Sequence, residues 1–457
     1  MVAWIRASVG RLLRIKFVRD TITLQVGKLA LAVIDVAARL ILIRGLGTDN
    51  YGVWALVGTM YGLLMFFNIT GLGLSTLTRL AESLAAGDRD ETRDLMAFFV
   101  QVSLLVAAIA CAVAFAFGPA FAEVTYGNRY VGELMRLYTL VLFLQPVYQL
   151  MLLVLQSHRS MRAYAVLENG GVVVDGVLVV AVVLLGWGAA GVVAAYLLSA
   201  LVKAVGSLWA YRRLQARWGD RLPTIGEILS AARRNSPRPY WRFGVALALD
   251  KNLSSLFTLL PQQLVGMWHG EAAAGFLKLA LSGLERPYLI FTGVLTNLAA
   301  QVPAEVGQGD FRRLQRNFRR VATWVAPASL AVFGAFALAA PIAVPILVGE
   351  EYIPVIPVIQ VLCIYGAVTG IGGVFGPLYR ALRLMRLILA VKVGALALAA
   401  LPALALVQSQ GVVGGAWAIN LVYALSVGMT IAVTWPRVRR LAQAQGTSGQ
   451  QPPAAGE

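Results

Sequence analysis

Gln25-Val-Gly-Lys28-Leu-Ala-Leu-Ala-Val-Ile-Asp35-Val-Ala-Ala-Arg39 lies inside the first long apolar segment, and its four polar residues decide how that segment is read. At 100° per residue, Gln25, Lys28, Asp35 and Arg39 fall within roughly an 80° arc of one helix. Apart from Gly27, the rest of the stretch is Leu, Ile, Val and Ala. A charge at mid-membrane costs about 2.5 to 3.5 kcal/mol on insertion scales, so such residues face a water-filled cavity or a partner rather than lipid. The stripe is expected to line a cavity within the membrane.

Composition gives the same class. The chain is 59% hydrophobic and 13% charged with a mean hydropathy of +0.73, whereas in a soluble domain about a quarter of residues are charged. This is an all-α polytopic membrane protein. Apolar runs long enough to span occur at about 22–43, 51–77, 96–117, 135–156, 164–186 and 190–210, then at about 243–266, 272–298, 321–345, 354–376, 387–407 and 413–435. About twelve helices therefore divide into an N-terminal bundle, 22–210, and a C-terminal bundle, 243–435. Between them, 211–242 carries eight arginines and reads as a cytoplasmic linker. Residues 1–21 alternate five basic residues with Trp4, Ile5, Leu12 and Phe17, which suits a basic amphipathic helix on the inner leaflet better than a signal peptide. The Gly-, Gln- and Pro-bearing tail, 436–457, is expected to be cytoplasmic and disordered.

The net charge of +17 is mostly topology. The N-terminus, the even-numbered loops and the C-terminus hold 29 Lys and Arg, while the odd-numbered loops hold only Arg44 and Arg129. Both termini are then expected to be cytoplasmic, and nucleic acid is not expected as a partner. Cys111 and Cys363 sit in apolar segments with no metal-ligand spacing, and read as small hydrophobes.

An internal repeat at an offset of 223 residues joins the halves: Gly47 and Gly52 match Gly270 and Gly275, Gly188 and Gly191 match Gly411 and Gly414, and Lys28 matches Lys251. The Gly87-Asp88 and Gly309-Asp310 pairs match at 222. Because each unit has an even number of spans, the two are parallel repeats. In the second half Lys251, Ser254, Ser255, Thr258 and Gln262 share a face of about 100°, with Asp250 at its edge. Two pseudo-symmetric polar faces of unlike charge are what a central cavity requires.

Arg44-Gly-Leu-Gly-Thr-Asp-Asn-Tyr-Gly52, with Gly71-Leu-Gly-Leu-Ser75 and Gly411-Val-Val-Gly-Gly415, resembles the bacterial polysaccharide-biosynthesis flippases of the multidrug/oligosaccharidyl-lipid/polysaccharide (MOP) exporter superfamily. The resemblance spans about residues 20 to 440. It implies a V-shaped pair of six-helix bundles, as in the MATE transporters, that carries lipid-linked oligosaccharides from the inner to the outer leaflet by alternating access. It also implies glycosyltransferases and a polymerase as partners, and transfers no individual site residue.

Intramembrane charge carries the candidate chemistry. The basic excess suits an isoprenoid pyrophosphate headgroup, whose lost hydration Arg and Lys replace with charge-assisted hydrogen bonds. Lys28, Arg39 and Lys251 are the first choices for substrate binding, with Arg286 next. Internal pairing, of Lys28 with Asp35 or Asp250 and of Lys278 with Glu285, is the competing account. Arg136, Lys203 and Lys392 lie nearer span ends and are expected to snorkel. No cofactor is indicated; coupling to Na+ or H+ would run through Asp35 or Asp250, although Arg39, one turn from Asp35, favours keeping that carboxylate ionised.

Competing functions are a drug/cation antiporter, which would favour an acidic cavity; a lipid II flippase, expected to have further C-terminal spans; and a membrane glycosyltransferase or polymerase, for which Asp88-Arg-Asp90 spells a DxD motif in a loop too short to hold a nucleotide sugar. A non-transporting assembly scaffold is a further alternative.

Overall fold

The computed structural model describes residues 16–65, 71–158, 160–219, 222–234, 238–307, 311–382 and 384–448, with no strand among them. The expected N-terminal amphipathic segment, over residues 1–15, lies outside the described residues. The helices are α1 (Lys16–Leu64), α2 (Gly71–Ala86), α3 (Arg89–Tyr126), α4 (Arg129–Thr139), α5 (Val141–Ser157), α6 (Met161–Leu184), α7 (Gly188–Trp218), α8 (Ile225–Arg234), α9 (Arg238–Gly307), α10 (Phe311–Leu347), α11 (Val355–Ala381) and α12 (Met385–Ser448), with a 3-10 turn at Glu350–Tyr352. Among the described residues seven helices are long and apolar enough to cross a membrane.

Three helices are interrupted by one glycine each, in α1 at Gly47 (φ 69°), in α9 at Gly270 (φ 83°) and in α12 at Gly411 (φ 60°). A positive φ is where an L side chain is strained, so a span can turn back there only through glycine. The pairs predicted by the repeat adopt matching conformations: Gly47 with Gly270, and Gly188 with Gly411, both at φ 60°. The chain thus turns in the same way at the paired positions. The polytopic all-α class follows directly.

Contacts divide the chain into two compact units. Unit 1 comprises Met1–Gly47, Thr76–Ala107 and Leu140–Ser236; unit 2 comprises Thr48–Ser75, Ala108–Thr139 and Pro237–Glu457.

In unit 1 the arginine-rich linker contains a docked helix, α8. Thr224 and Glu227 form a reciprocal cap: the Glu227 N–H donates to Thr224 Oγ1 at 3.1 Å and the Thr224 N–H donates to Glu227 Oε2 at 2.6 Å. Arg89 Nη2 reaches both Glu227 oxygens, at 3.0 and 3.2 Å. Beneath the helix, Leu222, Ile228 and Ala231 join a core with Leu80, Met96, Leu150, Leu155 and Tyr211. The linker thus packs as part of the unit rather than trailing as a tether.

In unit 2 the second arm of α1 crosses α9 at the repeat-related glycines. A Cβ on Gly52 would stand 2.5 Å from the Glu271 carbonyl carbon and oxygen, and one on Gly275 would stand 3.1 Å from the Gly52 Cα. Main chain meets main chain there. Around the crossing, Asn128 hydrogen-bonds Glu271, Tyr51 packs edge-on to Tyr352 at 6.4 Å, and Trp54 and Tyr61 pack on Tyr138 at 5.3 and 4.7 Å. This end carries few basic residues, so by the positive-inside rule it is the expected outer end.

The helix α12 continues to Ser448, so the segment expected to be a disordered tail is helical over 436–448. Val438 and Ala442 are buried, which gives that extension a packed face.

Candidate functional site

A cavity of about 690 Å³ opens within unit 2. Its wall is built from the second arm of α1 (Gly58, Gly62, Met65), the first arm of α9 (Asn252, Ser254, Ser255, Thr258, Leu259), Lys278 beyond the Gly270 break, Tyr379 and Arg380 at the end of α11, and Lys392 and Tyr423 on the two arms of α12. Three cations line it and no described lining residue is acidic. Lys392 is 9% exposed, and its Nζ donates to Ser254 Oγ at 2.7 Å. The Arg380 guanidinium lies 5.8 Å from the centre of the Tyr379 ring. Two small residues, Gly58 and Gly62, keep the α1 side of the wall open.

A second chamber of about 150 Å³ shares Ser254, Tyr379, Lys392 and Tyr423 with the first. Tyr288, Thr369, Ser426 and Thr430 supply further hydroxyls to it. The Tyr423 hydroxyl donates to the Ser254 carbonyl at 3.3 Å, and its ring packs on Tyr365 at 4.5 Å. Lys392 therefore stands where a cation-lined chamber meets a hydroxyl-lined one. Such a pair can take an anion in the wide part and hydroxyl-bearing groups in the narrow part.

The polar face expected on α9 is real in part. Ser254, Ser255 and Thr258 line the cavity, whereas Gln262 is buried away from it at 2% exposure. The side chains of Lys28, Asp250 and Lys251 lie outside the described residues. Arg286 is not among the lining residues. Arg39 and Asp35 belong to unit 1, where Arg39 Nε donates to Asp35 Oδ1 at 3.3 Å across one helical turn.

All three residues expected to snorkel do something else. Lys203 reaches across from α7 to Asp175 on α6, with Nζ at 2.8 and 3.0 Å from the two carboxylate oxygens. Ser199 also hydrogen-bonds Asp175, and the Lys203 ammonium lies 5.5 Å from the centre of the Tyr148 ring. An opposite charge within hydrogen-bond reach is a better partner than a distant headgroup. Lys392 is the second correction, because its face turns it into the cavity. Arg136 donates to the Phe115 carbonyl, capping main chain rather than reaching outward. Arg380, counted in the sequence as a loop charge, lies in the last turn of α11 and lines the cavity. The DxD carboxylates are structural: Asp88 Oδ1 accepts the Glu91 N–H at 2.9 Å at the start of α3, and Asp90 pairs with Arg93 at 2.8 Å. Cys111 and Cys363 are both buried free thiols.

A family model described as polysaccharide biosynthesis protein matches residues 41–357. The chain belongs to that family. No curated protein matches the sequence. Among solved structures, this polysaccharide biosynthesis protein is similar to a multidrug resistance MATE family transporter of the MOP superfamily in its inward-facing conformation, with 16% identity, a TM-score of 0.70, and coverage of 90% of this chain and 95% of that one. It is also similar to the lipid II flippase MurJ in an inward closed conformation, with 10% identity, a TM-score of 0.67, and coverage of 92% of this chain and 90% of that one. At these identities the likeness is one of fold, and that fold is the MOP exporter fold. The polysaccharide biosynthesis protein is thus a multi-pass membrane protein whose family and fold agree with the sequence resemblance.

Proposed function

We propose that this protein is a flippase that moves an isoprenoid-pyrophosphate-linked oligosaccharide from the cytoplasmic to the outer leaflet of a bacterial inner membrane, by alternating access, with both termini cytoplasmic. The observation that supports this best is the cavity in which Lys278, Arg380 and Lys392 converge with no described acidic side chain on the wall. A pyrophosphate leaving water needs several cationic donors at once, and each charge-assisted hydrogen bond contributes about 1.5 to 3 kcal/mol. The hydroxyl-lined chamber behind Lys392 offers the sugar end complementary donors and acceptors. A drug/cation antiporter would need the opposite polarity.

Lys28 and Lys251, at matching positions on the helices that open each half, are proposed as further headgroup contacts. Arg39 and Arg286 carry less weight, the first because it engages Asp35. Asp35 and Asp250 are the proposed carboxylates for Na+ or H+ coupling. Glycosyltransferases and a polymerase of the same assembly system are the proposed partners.

The test is flipping of a labelled lipid-linked oligosaccharide by purified protein in liposomes. K392A and R380A should each lower the rate at least about tenfold, the value of one charge-assisted contact of roughly 1.4 kcal/mol. A folded K278A/R380A/K392A protein that flips at the normal rate would overturn the assignment.

A further inference from the structure

The start of α10 carries Arg312, Arg313, Arg316, Arg319 and Arg320, all exposed, in ten residues. At 100° per residue they occupy an arc of roughly 120°. On the opposite face Leu314 and Phe318 are buried, and Phe318 is fixed by Phe375 at 4.9 Å and by Trp435 at 5.8 Å. The stripe is therefore held in one orientation. Followed along the helix, the same side continues into Trp324 (74% exposed), Leu330 (61%) and Leu338 (79%). Only 17% of the apolar window of α10 is buried, the smallest share among the seven candidate spans. This is the lipid-facing side of the helix, and the arginines extend it beyond the apolar zone.

Topology alone does not account for them. The repeat at 222 residues, in register with Gly87-Asp88 and Gly309-Asp310, places Asp90, Glu91 and Asp94 where the second half has Arg312, Arg313 and Arg316. The first-half version satisfies itself locally, with Arg93 bonded to Asp90 at 2.8 Å and to Asp94 at 3.0 Å. In the second half the charges are inverted. Glu305 lies 3.8 Å from Arg313 and also accepts from Asn317 at 2.6 Å. Arg437, Arg439 and Arg440 on the α12 extension are exposed as well, and Arg439 lies 5.4 Å from the centre of the Trp435 ring that holds Phe318.

We infer that this arginine ladder binds the phosphate headgroups of anionic phospholipids in the adjoining leaflet. Arg320 is four residues from Trp324, about 6 Å along the axis, and Arg312 is about 12 Å further. A tryptophan belongs at headgroup level, so Arg319 and Arg320 sit among the phosphates, Arg316 lies at their outer edge about 6 Å further on, and Arg312 and Arg313 stand in the water beyond. The forked guanidinium fits a phosphate diester in two hydrogen bonds. The continuity of the stripe with the lipid-facing apolar surface makes a bilayer lipid its occupant.

The experiment uses the full chain in detergent, titrated with phosphatidylglycerol or phosphatidylcholine, with bound lipids counted by native mass spectrometry. The wild type should prefer phosphatidylglycerol, and salt should weaken the binding. R316Q/R319Q/R320Q should lower that affinity at least about tenfold, because each arginine near an anionic surface contributes about fivefold. The corresponding triple lysine variant should retain most of it, and R217Q/R233Q/R234Q, which removes three exposed charges from α7 and α8, should leave it unchanged. Equal binding by the glutamine triple and the wild type, or an equal loss in the α7–α8 control, would overturn the assignment. If the glutamine triple does not yield folded protein, a wild type with no preference for phosphatidylglycerol overturns it alone.

Discussion

Gly52→Ala tests the main-chain crossing of α1 and α9 directly. The added methyl would sit 2.5 Å from the Glu271 carbonyl, where ordinary contact begins at 3.4 Å, so the two main chains must separate by about 0.9 Å. Neither side can yield by rotating a side chain. Overpacking of this kind costs about 1 to 3 kcal/mol, which shifts an equilibrium between the packed and the parted crossing toward the parted form about 5- to 150-fold. The cavity residues Gly58 and Gly62 lie about 9 and 15 Å further along the same helical arm. The assay is the rate at which a membrane-impermeant maleimide, added from the side of the crossing, labels Thr258→Cys in a background lacking Cys111 and Cys363. G52A should raise that rate within the stated range. G275A, whose Cβ meets Gly52 at 3.1 Å, should raise it less. A folded G52A protein labelled at the unaltered rate, or a larger effect from G275A, would refute the reasoning.

Asp175→Asn should cost about 1 to 3 kcal/mol, because it removes the charged partner of the half-buried Lys203, while D175N/K203M should recover most of the loss; thermal unfolding in detergent measures both. At the linker, the Thr224 backbone N–H, its hydroxyl and Arg89 hold the Glu227 carboxyl below its ordinary value of 4.5. A depressed carboxylate contributes stability that is present above the unfolded value and lost as pH falls through the folded one, so docking of α8 should weaken only on acidification below about 4.5. Hydrogen exchange across Ile225–Arg234 reads this, and E227Q should abolish the pH dependence.

The repeat was the most legible feature of the fold, because a positive φ at a turn between spans leaves glycine little competition. Gly47 and Gly270, and Gly188 and Gly411, could therefore be paired from spacing alone. The crossing of Gly52 with Gly275 shows that the same offset also marked a contact. The site was less legible. Lys392 and Lys203 were judged by distance from a span end, but their helical face decides where they point, and hydropathy does not record it. Asp175 and Lys203, opposite charges in the interiors of consecutive spans, were the available signal for their pairing. Arg380 was hidden by the topological count, since a charge in the last turn of a helix serves orientation and cavity equally well. The linker helix was spelled out by Thr224-Ile-Gly-Glu227, a capping pattern lost among eight arginines.

The pairing of Asp175 with Lys203 also has an electrical meaning. A lone elementary charge carried across a bilayer at 100 mV exchanges about 2.3 kcal/mol with the membrane potential. Two opposite charges 2.8 Å apart span only about a tenth of a hydrocarbon core of roughly 30 Å, so the same potential acts on the pair with at most about 0.2 kcal/mol. Moved as one, α6 and α7 carry two ionised side chains through the field while contributing almost no gating charge.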